Sequence, residues 1–490
     1  MKSDMKEIIL MWRCLAFMLV MLLVNKSVAQ DETVSTSKSK ISIHTDNETM
    51  RWRTSTGVTD FNIEIRGKID ITDDDKDIKS ISDDGYLEIT KTVFGSKRAI
   101  IIESLGGGKV KKEYYEGRTK MEWNPNGQQW LGEILPEIVR STTLAAESRV
   151  NRLYKQGGTS AILAEIDKIQ SDYVKSHYGK ILLSKDIPSG EMATVITRLS
   201  NTIHSDYYLS NLLQSNIGKM LATQEAADAF FKGSQRIGSD YYKSVVLKDA
   251  LKKYAASPNQ VKVILNSAST INSAYYLSVV LTTLLEQPQV REESITEMIN
   301  ISKHIDSDYY RTQVLGKALQ KEGLPKTAMK EVVSALADVN SDYYKTSVCN
   351  TMAEKTTLEP EVQTQVINLL TNSVHSDYYA TVTLKNMLEH QKLSDDSFNQ
   401  LVAAVAHIDS DNYASDLLTE AAQKDLNKNQ LTSLLKAAEN IDSDHYLSQV
   451  LINVAPRVKE SDQATKDLYR QVAKKIQSDT YYGRAVKAID

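Results

Sequence analysis

A carboxylate, two phenols and a hydroxyl recur together along this chain in the phrase Ser-Asp-Tyr-Tyr. Its serine stands at 171, 205, 239, 273, 307, 341, 376, 410, 443 and 478. A row of carboxylates can hold cations or the basic side chains of a peptide, and a row of phenol rings can stack on sugars or pack against a partner protein. The candidates for such a surface are Asp206, Asp240, Asp308, Asp342 and Asp377 with the first tyrosines Tyr207, Tyr241, Tyr275, Tyr309, Tyr343 and Tyr378. The competing reading is structural. A serine ahead of a helix accepts its orphan amide bonds, an aspartate in the first turn suits the positive end of the helix dipole, and tyrosines can pack between copies of a unit.

No other residues form a reaction centre. No histidine is followed by glutamate, so the HExxH zinc motif is absent, and the eight histidines are dispersed. The GxSxG elbow is missing too. Gly106-Gly107-Gly108-Lys109 lacks the spacing of a phosphate loop and reads as a hairpin turn. The run DDDKD at 73–77 lacks the glycine and terminal glutamate of a calcium loop and reads as a solvated turn. The expectation is a non-enzymatic protein with no catalytic residue, no metal and no cofactor; a metal-dependent hydrolase is the weakest alternative.

The spacing of the phrase predicts the elements that carry it. Successive serines are 34, 34, 34, 34, 34, 35, 34, 33 and 35 residues apart, and a fixed period of this length means stacked supersecondary units. Between phrases lie two stretches with helical periodicity, separated by polar breaks such as SPNQ, EGLPK and LEPE, where proline suits a first helical turn. The fold class is therefore mainly α: an α-solenoid of about ten HEAT-like helix pairs over residues 159–490. The tetratricopeptide pattern shares the period but not its landmarks.

Comparison of the copies assigns a role to each position. Two residues before the serine there is always Ile or Val, from Ile169 to Ile476, which predicts a core position closing the first helix. The second tyrosine is kept in nine copies and is Val174 in the other, so it is expected to be buried. The first tyrosine yields to Asn412, His445 and Thr480, which marks a half-exposed position. Cys349 aligns with Leu213, Leu247, Leu281 and Leu315 and is expected to be a small buried apolar residue.

Ahead of the repeats, residues 41–125 carry short β-like runs (ISIHT, FNIEIRGKIDI, GYLEITKTV, RAIIIESL, VKKEYY) that predict a small antiparallel β domain. A helical bridge follows at 126–158, with a break or kink expected at Pro136 and an end at Gly157-Gly158. Residues 30–40 are polar and read as a linker. The first 29 residues read as a signal peptide. Lys2, Lys6 and Arg13 precede the apolar run CLAFMLVMLLV, too short for a membrane span, and Ser27-Val28-Ala29 suits cleavage before Gln30. An uncleaved anchor is the alternative.

Cleavage would remove four basic residues (Lys2, Lys6, Arg13, Lys26) and two acidic ones (Asp4, Glu7), leaving 55 basic and 61 acidic. That acidic balance argues against a nucleic-acid partner. Cys349 alone would remain, so an exported chain has no internal disulfide.

The stretch IKSISDDGYLEI (78–89), then WLGEILPEIVRSTTLAAESRVNRLYKQGG and the SDYY units, resembles the extracytoplasmic β domain and HEAT-like repeats found in some bacterial antirepressor-type (BlaR-like) membrane metallopeptidases. The membrane-spanning part and the zinc motif of that family are missing, so no catalytic residue carries over. The resemblance implies an envelope-side sensory or interaction module. The expected function is an exported, periplasmic or secreted scaffold that binds a protein or peptide along the solenoid. The alternative is a glycan- or cell-wall-binding protein using the Tyr/Asp row. The mass of the purified mature protein should correspond to a chain beginning at Gln30; a chain retaining residues 14–29 would establish the anchor instead.

Overall fold

In the computed structural model, residues 31–35, 40–46, 49–288 and 290–490 are described, with side chains from Thr49 onward. The expected signal peptide lies outside them. The described chain is mainly α-helical with a small N-terminal antiparallel β domain, and it divides into two units, one ending at Tyr208 and one beginning at Leu209.

Period-two alternation builds the sheet of the first unit. Its strands are β1 (Asp31–Ser35), β2 (Lys40–Asp46), β3 (Thr49–Thr56), β4 (Thr59–Arg66), β5 (Ile69–Ile71), β6 (Ile78–Ile81), β7 (Tyr86–Val93), β8 (Ser96–Gly106), β9 (Lys109–Glu116) and β10 (Thr119–Met121). Eight pair antiparallel in the order β1-β2-β3-β4-β7-β8-β9-β10, while β5 and β6 form a separate hairpin. Register places Trp52, Ile63, Ile89, Ile100 and Tyr114 opposite one another across five strands. All five are buried, so one face of the sheet is a continuous apolar row. The helix Gln128–Ser141 covers it, with the ring of Trp130 5.7 Å from that of Tyr114 and Lys91 Nζ 2.7 Å from Glu137.

Local geometry departs from the sequence reading at four places. Strand β1 occupies residues expected in the linker. The run FNIEIRGKIDI breaks at Gly67, whose φ of +71° and close approach to Ser82 exclude a side chain. The helix 128–141 continues through Pro136, and the chain turns instead at Thr142–Ala145, where Thr142 is extended and Ala145 is left-handed. The DDDKD loop is not simply a solvated turn. Asp73 is exposed, but Asp75 accepts from Arg149 Nη2 at 2.7 Å and Arg152 Nη2 at 2.5 Å. Arg149 is only 2% exposed and also donates to Glu165 Oε1 (2.9 Å) and the Tyr178 hydroxyl (2.5 Å). This buried cluster ties the β domain to the helices that follow within the same unit. Gly106, Gly107 and Gly108 all have positive φ and form the β8–β9 hairpin turn.

Helical geometry is interrupted at Gly157 and Gly158, and the repeats follow. In every copy the trailing helix starts at the residue after the phrase serine, from Asp172–Ser184 to Asp479–Ile489. In the second unit, trailing helices pack on trailing helices and leading helices on leading helices, giving the two layers of a solenoid. The Ile/Val position is buried in eight copies; Val374 and Ile408 are half-buried, beside the 35- and 34-residue steps and a short 3₁₀ turn at Ala404–His407. Cys349 is fully buried, and burial pushes its thiol up to about 12. No helix among the described residues is long and apolar enough to cross a membrane.

The Arg149 cluster makes the first unit acid-sensitive. Burial by itself would raise the Glu165 carboxyl, but hydrogen bonds from Arg140 and Arg149 outweigh it and hold the group at about 2, against an ordinary 4.5. A carboxylate depressed in the folded state stabilises it fully above the unfolded value and loses that contribution as pH falls. Chemical denaturation between pH 5 and about 2 should show a loss on the order of 3 kcal/mol from this group, and Glu165→Gln should flatten that part of the pH profile.

Candidate interaction surface

The phrase residues fall into distinct environments. The aspartate of one repeat reaches the turn that opens the next trailing helix. Asp172 Oδ2 accepts from the amides of His204 (2.9 Å) and Ser205 (2.7 Å). Asp240 accepts from Asn272 (3.0 Å) and Ser273 (2.9 Å), Asp308 from Asn340 (3.0 Å) and Ser341 (2.8 Å), and Asp342 from His375 (3.0 Å) and Ser376 (2.9 Å). Asp377 accepts from Ser410 (2.8 Å), and Asp411 and Asp444 continue the pattern to Ser443 and Ser478. Asp206 stands at the same first-turn position. These carboxylates were expected to serve their own helix start or a ligand. Asp240, Asp308, Asp342 and Asp377 stand in the first turn of their own helices, as expected, and also give an oxygen to backbone N–H groups of the neighbouring repeat. Charge-assisted bonds of this kind contribute roughly 1.5–3 kcal/mol.

The serine hydroxyls contribute less to capping than expected. They accept from the second-tyrosine amide at 3.5 Å in the copies beginning at Ser205, Ser273, Ser307, Ser341 and Ser376. Ser171, Ser410, Ser443 and Ser478 make no side-chain cap bond. The serine amide, bound by the preceding aspartate, carries the better contact.

The tyrosines form a ring ladder. Each first tyrosine packs edge-to-face on its own second tyrosine, as for Tyr241 and Tyr242 (5.0 Å) or Tyr309 and Tyr310 (5.1 Å). It also packs on the second tyrosine of the next repeat: Tyr241 on Tyr276 (5.7 Å), Tyr275 on Tyr310 (5.5 Å), Tyr309 on Tyr344 (6.0 Å), Tyr343 on Tyr379 (6.1 Å) and Tyr378 on Tyr413 (6.1 Å). The run is continuous from Tyr242 to Tyr413 and stops where Asn412 replaces a ring. In the first unit Trp52 of the β domain packs on Tyr173 (5.6 Å), and Tyr173 on Tyr208 (5.7 Å). The second tyrosines, expected to be buried, are half-buried throughout. Tyr276, Tyr310, Tyr344 and Tyr379 lie between two first-tyrosine rings at the margin of the core, and full burial comes one residue later at Leu277, Arg311, Lys345 and Ala380. The Tyr208 hydroxyl is buried with no hydrogen-bond partner among the described residues. Burial raises the Tyr276 phenol above its ordinary value.

First-position rings reach solvent: Tyr207, Tyr241, Tyr275, Tyr309, Tyr343 and Tyr378 are 38 to 56% exposed. Beside two of them a groove of about 600 Å³ opens between the trailing helices Asp308–Ala318 and Asp342–Lys355. It carries Tyr309 and Tyr343 at its rim, with Gln313, Gln320, Lys317 and Lys355 along it.

No family model and no curated protein matches the chain. Among solved structures, a chain from a study of computationally designed self-assembling cyclic homooligomers is similar at 10% identity, covering 68% of this chain and 93% of that one with a TM-score of 0.11. The fold assignment rests on the helix pairs of the chain itself. Among the described residues, no group of three His, Cys, Asp or Glu side chains could hold a metal ion.

Two sets of inter-repeat contacts escaped the sequence reading. The residue after the second tyrosine is a buried base in several copies: Lys175, Lys243, Arg311 and Lys345 are 3 to 7% exposed. Lys175 donates to Thr202 O (2.9 Å) and Lys345 to Ser373 O (2.6 Å), both near the end of the next leading helix, while Arg311 reaches Ile305 O, Lys303 O and Ala335 O. Burial pulls the Lys345 ammonium below its ordinary range. The signal was present: these bases share a helical position with Leu209, Leu277 and Leu447. At the other end of the trailing helices, Lys321 donates to Gln287 O (2.8 Å), Gln287 to Leu251 O (2.6 Å) and Arg457 to Ala422 O (3.0 Å).

Ala274 is the one copy without the carboxylate, and among the described residues the amides of Asp306 and Ser307 have no such acceptor. Ala274→Asp should raise the stability of the second unit by about 1–2 kcal/mol in denaturant titration, and Asp308→Ala should lower it by roughly 1.5–3 kcal/mol.

Proposed function

We propose that this chain is a non-enzymatic interaction scaffold of the bacterial envelope, docking a protein or peptide on the face formed by its trailing helices. The observation that carries the reading is the division of labour inside the phrase. Aspartate, serine and second tyrosine are engaged in joining repeats, and the first tyrosine, although its ring also packs on the next repeat, keeps 38 to 56% of its surface exposed from Tyr207 to Tyr378. Half-exposed tyrosines at fixed spacing, rigidly held and with polar tips in solvent, have the chemistry that protein interfaces favour. Among the described residues, no hydrogen bond occupies the hydroxyls of Tyr241, Tyr275, Tyr309, Tyr343 or Tyr378.

A peptide or protein suits this row better than a glycan. Sugars bind aromatic side chains through ring faces, and each first tyrosine between Tyr241 and Tyr378 already has neighbouring rings on two sides. Its edge and hydroxyl remain for a partner. The apolar run at 14–24 supports export, and the resemblance to the extracytoplasmic part of antirepressor-type metallopeptidases supports a sensory role.

A photo-cross-linking phenylalanine derivative placed at Tyr309 or Tyr343 should capture one discrete protein in native envelopes, identified by mass spectrometry. The same group at Lys326, on a leading helix, should not. Equal cross-linking from both faces would sink the proposal. Replacing Tyr241, Tyr275, Tyr309 and Tyr343 together with Phe, which keeps the ring contacts, should leave helicity unchanged and weaken capture.

A further inference from the structure

Among the ten copies, the ninth residue after the phrase serine is Lys180, Gln214, Lys248, Thr282, Gly316, Asn350, Lys385, Thr419, Ile452 and Lys487. Only Gly316 lacks a side chain. Glycine inside a helix is destabilising relative to alanine, so it calls for a reason. Packing supplies none, because a Cβ built on Gly316 would meet nothing within 4 Å. Its backbone is helical, so no unusual φ requires it.

What the missing side chain does is leave the surface between two trailing helices open. At Gln214, Asn350 and Lys385 this position or its neighbour bridges adjacent repeats, while Thr282 bonds its own helix at Ser278 O (2.7 Å). Gln214 Nε2 donates to Asp249 Oδ2 (2.9 Å), Asn386 Nδ2 to Asn350 Oδ1 (3.0 Å), and Lys385 Nζ to Asp416 Oδ2 (2.7 Å). Between the helices Asp308–Ala318 and Asp342–Lys355 no such bridge can start from Gly316, and the facing Thr351 hydroxyl donates to its own helix at Ser347 O (3.0 Å). The groove of about 600 Å³ lies here, within the usual range of ligand sites, roughly 300–1,000 Å³.

We infer that this groove is a specialised subsite that takes an acidic peptide segment. No acidic residue lines it, and two lysines do. Lys317 has an exposed pairing with Glu286 (3.3 Å), which is weak and readily exchanged for a ligand carboxylate. Lys355 has no ion-pair partner among the described residues. Gln313 and Gln320 each offer an amide donor and acceptor, the complement of a peptide group, and Tyr309 and Tyr343 offer hydroxyls at the rim. The inference rests on the scaffold reading and narrows it to one partner chemistry and one place.

The test uses the full exported chain and fluorescence anisotropy with the labelled synthetic peptide Glu-Ala-Glu-Tyr-Glu-Ala, its Gln-for-Glu counterpart and a labelled oligogalacturonate. The acidic peptide should bind at least ten-fold more tightly than the neutral one, with affinity falling as salt rises. Gly316→Gln installs the residue of the copy at Gln214; it should preserve or raise thermal stability and weaken acidic-peptide binding ten-fold or more. Lys355→Gln should weaken it several-fold. Equal binding of the acidic peptide to the parent chain and Gly316→Gln overturns the inference, as does preference for the oligosaccharide. If either occurs while the cross-link at Tyr343 still captures a protein, the scaffold reading stands and only this subsite falls.

Discussion

A carboxylate that accepts two backbone amides of the next repeat is the contact on which the helical array depends. Seven phrase aspartates, from Asp172 to Asp444, reach from the first turn of their own helix to the turn of the neighbour, so these repeats are joined through main chain and not only through apolar packing. Backbone amides at the start of a helix have no intrahelical acceptor, and those of the half-buried turn between repeats find one elsewhere. Supplying that acceptor from the preceding repeat satisfies the donors and sets the spacing between copies at the same time.

Around this contact other straps repeat with the same logic. Buried lysines and an arginine satisfy the carbonyls that end leading helices, while lysine, glutamine and arginine at the far end of trailing helices satisfy those of the preceding copy. An unpaired buried cation would be costly; here Lys175, Lys345 and Arg311 donate to backbone carbonyls and Lys243 to the Thr270 hydroxyl. The ring ladder adds edge-to-face contacts, each contributing about 0.5–1.5 kcal/mol beyond area burial. Apolar burial supplies the general attraction, and these directional contacts fix the register in which it is realised.

The candidate surface is what this framework leaves over. Residues that join repeats cannot vary freely, since each loses a partner in the adjacent copy. First-position tyrosines from Tyr241 to Tyr378 are tied on two sides by rings yet remain 42 to 56% exposed. Gly316 is the reverse case: a position with room for a side chain, filled in the other copies and empty in one. Internal repetition thus provides its own reference, against which the departure of a single copy stands out.

The sequence by itself determined the helix pairs, their number, the place where each trailing helix starts and the half-exposure of the first tyrosine. These follow from local periodicity and from comparison of copies, which reports how tolerant each position is. Tertiary structure decided which partners the side chains have. The destination of the aspartate, the half-burial of the second tyrosine, the lysine straps and the Asp75–Arg149–Glu165 cluster depend on residues distant in sequence, from 16 to 74 positions apart. Residue type alone did not reveal those pairings, because an aspartate in a first turn has the same local chemistry whether it serves its own helix, a ligand or the next repeat. Only the stacking of one unit on another brings the competing acceptor sites within reach and selects among them.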